Sequence, residues 1–416
     1  MVSLSSKQPR LPLPSPLMMS EPGSFAYFTM HNRWTTIARR IIPENQYPPE
    51  IAASLEALVE ELLHGNVRSL NDDGGTDVAT WNANLQPFIG IPWIEVPWFF
   101  AEVYFYRRIL EATQFFGKGQ WQEVDPFAVQ KQRELEAICS NPAIAVESNS
   151  SWSHEQLILR LYQALWGNRA DLSLKPGETI TETDATEFHT SQQHILVDDS
   201  STVFTVLTEK AHSRIDLIAD NAGFELFHDL QLIEFLLSTH ITQQVFLHLK
   251  VHPTFVSDAT TQDVHSLLKT LSLTKQSNLC TWSNSLENYL KTERLILCAD
   301  EFWTSPFAFW EMPDSLYQEL AKSSLIVIKG DANYRRILGD RQWSFTAPFS
   351  EIASYFPAPL VALRTLKSEI VAGLQPTQLK QLTNEDAEWL INGHWGLIQF
   401  VDRQKSTNVP QIVEVS

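Results

Sequence analysis

Apolar positions change their spacing partway along the chain. Between residues 25 and 170 they recur at helical intervals. Leu55, Leu58, Val59 and Leu62 mark one face of a helix over Ile51 to Leu63. Pro97 to Ala112 continues in this style, with Pro97 at a favourable helix start. Phe127 to Ile138 and Ser153 to Leu165 give two more helices. Further on, short β-like runs alternate with helical periods. The runs are Ile195–Val197, Ile215–Ala219, Gln244–Lys250, Arg294–Cys298, Leu325–Lys329, Leu360–Arg364 and Gly396–Val401. Phe224, Phe227, Leu230, Ile233 and Leu237 form the apolar face of the helix that follows Ala219. Strands alternating with helices predict βαβ units and a mostly parallel sheet.

The expected fold class is therefore α/β, a three-layer α/β/α Rossmann-like sheet with an N-terminal helical region. An extended arm is expected over residues 1–24, a mainly helical region over 25–190, and the α/β/α domain over 191–416. Gly167 to Gln193 is polar and carries a Pro176-Gly177 turn signal, so it reads as a linker or surface excursion.

Composition narrows the function. The 416 residues include 44% hydrophobic types, 13 Trp and 23 Phe, enough for large aromatic packing surfaces. The net charge of −18 argues against a broad nucleic-acid face, which would have to be basic. Cys139, Cys280 and Cys298 are too few for a disulfide framework and lack metal-ligand spacing. The most apolar stretch, Ile89 to Tyr106, contains Pro92, Pro97, Glu95 and Glu102, which makes a poor membrane span. No signal core is visible, and a cytoplasmic protein with no membrane partner is the expectation.

The chemistry concentrates where strands end. Asp220-Asn221 follows the run Ile215–Ala219 and precedes a helix, so two oxygen-bearing side chains stand at the carboxyl end of a strand. In open α/β sheets ligands bind at that edge. Asp258 lies 38 positions later, about one βαβ unit, so the two carboxylates can share a cation. Oxygen-only donors favour Mg²⁺ or Mn²⁺ over thiolate-bound zinc. The simpler alternative is that Asp220 and Asn221 cap the following helix. A second cluster, Lys329-Gly330-Asp331-Ala332-Asn333-Tyr334-Arg335-Arg336, places cations and an amide just beyond the run Leu325–Lys329. Guanidinium groups suit a phosphate, or else pair with surface carboxylates. Arg364-Thr365-Leu366-Lys367 adds a lysine after another strand. In the helical part, Glu102 and Tyr106 share a helix face with Arg107 close by, a mix that fits an amphipathic core. No HExxH or HxH pattern occurs among the histidines.

Taken in order, Asp220 to Glu225, Phe255 to Asp258, Lys329 to Arg335 and Arg364 to Lys367 resemble the motifs of the metal-dependent damage-control phosphatases. The RTxK element is similar to that of their subfamily III. The likeness extends to Ser24 to Thr29, Trp81-Asn82, Trp93 to Arg107 and Leu165 to Arg169, and so covers nearly the whole chain. It implies Asp220, Asn221 and Asp258 as ligands of a divalent metal ion (Mn²⁺, Co²⁺, Ni²⁺ or Mg²⁺). It implies substrate contacts from these three and from Asp331, Ala332, Asn333, Tyr334, Arg335 and Lys367. Glu102, Arg107, Lys329 and Arg364 match family-like positions with less defined roles. The implied activity is hydrolysis of a small phosphorylated metabolite of the fructose 1-phosphate or fructose 6-phosphate class. Asp220 and Asp258 would be the catalytic carboxylates, either accepting a proton from water or, at Asp220, taking the phosphoryl group. Two rivals are an S-adenosylmethionine-dependent carboxyl methyltransferase and a non-catalytic sugar-phosphate-binding module. The first lacks a glycine-rich cofactor loop after a strand, since Gly117-Lys118-Gly119 follows none.

Overall fold

The computed structural model describes residues 7–141, 146, 151–167, 193–209 and 212–402. Its centre is a seven-stranded sheet of β1 (Ile195–Asp198), β2 (His212–Ile218), β3 (Thr242–Leu249), β4 (Leu295–Ala299), β5 (Leu325–Lys329), β6 (Leu360–Thr365) and β7 (Gly396–Val401). The spatial order is β1-β7-β6-β5-β2-β3-β4. Neighbours pair in parallel except β6 with β7, which is antiparallel. The α/β expectation is met, with one reversed pair in an otherwise parallel sheet.

Burial on both faces explains the run-like strands. Every residue of β5 is buried, as expected of a central strand covered on two sides. Alternation sorts its side chains. Leu325 and Val327 join the core that includes Leu217, Leu230 and Val245, whereas Ile326 and Ile328 join the one that includes Trp303, Phe309 and Leu360. The first layer contains the helices Gly223–Ser238, Thr261–Ser272 and Ser277–Lys291. It also takes in Ala128–Ser140 and His154–Trp166, whose Leu135, Leu157, Leu161 and Leu165 pack into the same core. Those two helices, though they precede the first strand, therefore cover the sheet. A third core holds Trp34, Leu55, Trp93, Trp98 and Phe105 from the earlier helices, with Val256 from the segment after β3.

The segment 15–17 is docked through its backbone. Leu17 N donates to Asp340 O (2.8 Å), Trp98 N to Leu17 O (2.9 Å) and Gln342 N to Ser15 O (2.9 Å), so it bridges the helical part and the sheet domain. The polar stretch 168–192 lies outside the described residues. Among the described residues no helix is long and apolar enough to cross a membrane.

Strand order fixes the position of the site. The chain passes from β2 to β3 to β4 on one side, then crosses to place β5 on the other side of β2. The order reverses between β2 and β5, and the crevice outside their carboxyl ends is where such sheets bind ligands.

Candidate active site

Asp220 and Asn221 follow β2 directly, and the segment carrying Asp258 returns from β3 to meet them. Ala222 N donates to Ser257 O (2.7 Å) and Ala259 N to Asp220 O (2.8 Å), and Asn221 and Asp258 form an isolated bridge. These contacts bring Asp258 against the Asp220-Asn221 pair, 38 positions earlier in the chain. All three are buried and line one cleft. Asn221 Nδ2 donates to Asp220 Oδ2 (3.2 Å) and Glu225 Oε2 (2.8 Å), while Ser257 Oγ donates to Asn221 Oδ1 (2.6 Å). Lys250 Nζ pairs with Asp258 Oδ2 at 3.2 Å, and Lys131 Nζ donates to the Asp258 carbonyl (2.9 Å). Burial pushes the Lys250 ammonium below its ordinary value, against the pull of Asp258.

The facing wall comes from the ends of β5 and β6. Gly330 turns the chain into the helix Asp331–Leu338 at φ +83 and ψ 173, a conformation nearly confined to glycine. A Cβ there would lie 1.8 Å from Asp220 Oδ2. The bare backbone thus makes room for the carboxylate. Asp331, Ala332, Arg335 and Lys367 line this wall. Asp331 Oδ1 accepts from Arg364 Nε (2.8 Å), Lys367 N (3.2 Å) and Ser368 Oγ (3.1 Å). Arg335 bonds Asp340 through Nε (2.7 Å) and Nη2 (3.1 Å), and Glu102 through Nη1 (2.5 Å). Its guanidinium stacks over Trp98 at 3.8 Å. Burial alone would lower its pKa, but Asp340 and Glu102 outweigh burial and hold it above the ordinary value.

Several residues singled out in the sequence lie outside the cleft wall. Lys329 is fully buried beneath it, paired with Glu225 Oε1 (2.7 Å) and Asp229 Oδ1 (2.9 Å). It extends β5 on the face of Leu325 and Val327, so it points into the helical layer. Arg107 is buried between Asp73 (2.8 Å) and Asp77 (2.7 Å). Asn333 Nδ2 donates to Ala219 O (3.0 Å) and Lys329 O (2.9 Å), tying the ends of β2 and β5 together. Tyr334 is buried, its hydroxyl donating to Gln399 Oε1 (2.7 Å). Arg364 orients Asp331 from behind, under the Tyr334 ring. Arg336 is not a surface group either: its guanidinium is buried against the carbonyls of Phe302 and Phe307, and burial pushes it down to about 9.

Sequence reasoning missed the other side of the mouth. Phe25, Arg33 and Trp98 line the cleft from the N-terminal part, and Arg33 stands on the π-helical turn Thr29–Trp34. Such turns recur at functional sites, but nothing in the spacing of Thr29–Trp34 marks one. Lys250 is a buried amine against a carboxylate, and its only sequence signal is a lysine ending an apolar strand.

The donor set fits a hard divalent cation. Among the described residues no three His, Cys, Asp or Glu cluster as metal ligands; the set here is two carboxylates and a carboxamide. All of its donor atoms are oxygens, as such ions prefer. This oxygen-lined pocket, faced by Lys367 and Arg335 at the switch point of an α/β sheet, has the chemistry to hold a cation and a small anionic ligand.

The damage-control phosphatase ARMT1-like domain matches residues 29–382. The chain is similar to damage-control phosphatase ARMT1 of Mus musculus, 33% identical with 93% of this chain and 98% of that protein covered. It is 35% identical to the Bos taurus protein of that name over 74% of this chain and 75% of the relative. The Homo sapiens protein is 31% identical, with 93% and 98% covered. The chain belongs to the damage-control phosphatase ARMT1-like family, a family of metal-dependent phosphatases.

Proposed function

We propose that the chain hydrolyses small sugar phosphomonoesters of the fructose 1-phosphate or fructose 6-phosphate class, as a subfamily III member, with Asp220, Asn221 and Asp258 holding the cation. The observation that carries this reading is the cleft itself, where those three residues face Asp331, Arg335 and Lys367 across one opening. A bound divalent ion would polarise a phosphoryl oxygen and lower the pKa of a coordinated water. The chain's own groups supply the rest. Lys367, a point charge at the cleft wall, offsets charge on the phosphoryl oxygens. Arg335 already commits both edges to Asp340 and Glu102, so it acts mainly as a fixed positive wall. Asp220 or Asp258 accepts the proton of the attacking water. The Asp331 backbone and carboxylate, locked by Arg364 and Ser368, offer a rigid edge for sugar hydroxyls. Phe25 and Trp98 give the mouth an apolar side that helps exclude water.

The test is phosphate release from a panel of sugar phosphates after chelation, with Mn²⁺, Co²⁺, Ni²⁺ or Mg²⁺ restored one at a time. Metal-dependent turnover of a fructose phosphate, nearly abolished by Asp220→Ala and Asp258→Ala, is the expected result. Methyl transfer from labelled S-adenosylmethionine, measured in parallel, would reverse the assignment if it were robust while phosphate release was absent. A trapped phosphoenzyme would replace direct water attack with a covalent route through Asp220.

A further inference from the structure

Glu225 and Lys329 lie directly behind the cleft, and the reaction proposed above gives them no task. Both are almost wholly buried. Lys329 Nζ donates to Glu225 Oε1 (2.7 Å) and to the Ala164 carbonyl (2.7 Å), and pairs with Asp229 Oδ1 (2.9 Å). This network ties down one oxygen of Glu225. The other, Oε2, accepts from Asn221 Nδ2 at 2.8 Å.

The consequence lies in the amide of Asn221. Its nitrogen faces two carboxylate oxygens, on Asp220 and Glu225, and its oxygen receives the Ser257 hydroxyl. Turning the amide over would set its oxygen against both carboxylates and forfeit charge-assisted hydrogen bonds, which are roughly twice as strong as neutral ones. A carboxamide binds a hard cation through oxygen alone. We propose that the buried Lys329–Glu225 pair is a positioning device that fixes which atom Asn221 presents to the cation. It rests on the assignment of Asp220, Asn221 and Asp258 as cation ligands. Partners of this kind behind metal ligands typically contribute about 10–100-fold in affinity.

Glu225→Gln tests this with almost no change of shape. The substituted side chain keeps a single acceptor, which the Lys329 ammonium claims. Its NH₂ then faces Asn221 and turns that amide over. Asn221→Asp supplies the control, because a carboxylate presents oxygen in either orientation and can accept from the glutamine amide that Glu225→Gln introduces. Mn²⁺ binding to the chelator-treated full chain is measured by calorimetry for the wild type, Glu225→Gln, Asn221→Asp and the double variant. The expected result is a loss of about 10–100-fold when Glu225→Gln is made alone, and a much smaller loss when it is added to Asn221→Asp. Glu225→Asp, which keeps the charge but shortens the reach, is expected to show the same sparing by Asn221→Asp, and it takes over if Glu225→Gln does not fold. Equal losses in both backgrounds overturn the proposal, as does no loss in either. A wild-type chain that binds no Mn²⁺ would instead remove the ligand assignment itself, and the proposal with it.

Discussion

Gly330→Ala puts the most weight on the site geometry. The residue sits at φ +83 and ψ 173, a region in which any side chain costs about 1–3 kcal/mol. The new methyl would also lie 1.8 Å from Asp220 Oδ2 and 2.1 Å from its Cγ, where ordinary contact begins near 3.4 Å. Either the carboxylate or the turn must move by about 1.6 Å, the gap between 1.8 Å and 3.4 Å. Misplacing a reacting group by about 1 Å can cost roughly 100-fold in rate, equivalent to about 2.7 kcal/mol of barrier. We therefore expect Gly330→Ala to lower unfolding stability by about 1–3 kcal/mol, to weaken Mn²⁺ binding, and to reduce kcat/KM at least about 100-fold. Urea denaturation, calorimetric Mn²⁺ titration and phosphate release measure the three effects separately. A variant that binds Mn²⁺ and turns over within about twofold of the wild type would refute the placement of Asp220 against this turn.

Other perturbations separate the remaining roles. Lys367→Ala is expected to raise KM for the phosphomonoester by roughly 10–100-fold, the worth of a hydrogen bond to a charged group, while calorimetry shows Mn²⁺ affinity unchanged. Arg335→Ala strands Glu102 and Asp340 without their shared partner. It should cost about 3–5 kcal/mol in urea denaturation, with Arg335→Lys recovering only part because it cannot bond both carboxylates in one plane. Acid stability should track Asp77. Burial raises its pKa, but His252 and Arg107 outweigh burial and hold it well below the usual carboxylate range. Its contribution is therefore full above about pH 4 and is lost as pH falls through the depressed folded value. Urea midpoints for Asp77→Asn should accordingly start lower at neutral pH and fall less steeply than wild type below about pH 4.

The strands and the sheet edge that bears the cleft were legible in the sequence because both follow from local pattern. Seven apolar runs became seven strands within a few residues of their expected bounds. Asp220 and Asp258 were expected at the carboxyl edge because each follows a parallel strand, and both line the cleft there. What local pattern could not give was side-chain direction relative to a cleft whose other half comes from distant chain. Lys329 shows this best. Alternation along β5 puts it on the face of Leu325 and Val327, but no local signal says that this face is roofed by the helix carrying Glu225 and Asp229. Arg107 has the same history, since its partners Asp73 and Asp77 lie about 30 residues upstream. Arg33 was invisible for the opposite reason, because its place at the mouth depends on a π-turn and on how the N-terminal helices dock.

The pairing of β1 with β7 sets an order of assembly. Ile195 pairs with Gly396, about 200 residues later, which a ribosome adding roughly 5–20 residues per second needs some 10–40 s to reach. Until then the first strand made has no neighbour, since its place in the sheet is beside the last. The N-terminal arm can meet Trp98 early, but its bonds to Asp340 and Gln342 wait similarly. Nascent chains of this protein must therefore carry an unpaired first strand until β7 is made, about 200 residues later, and closure of that edge of the sheet is a late event.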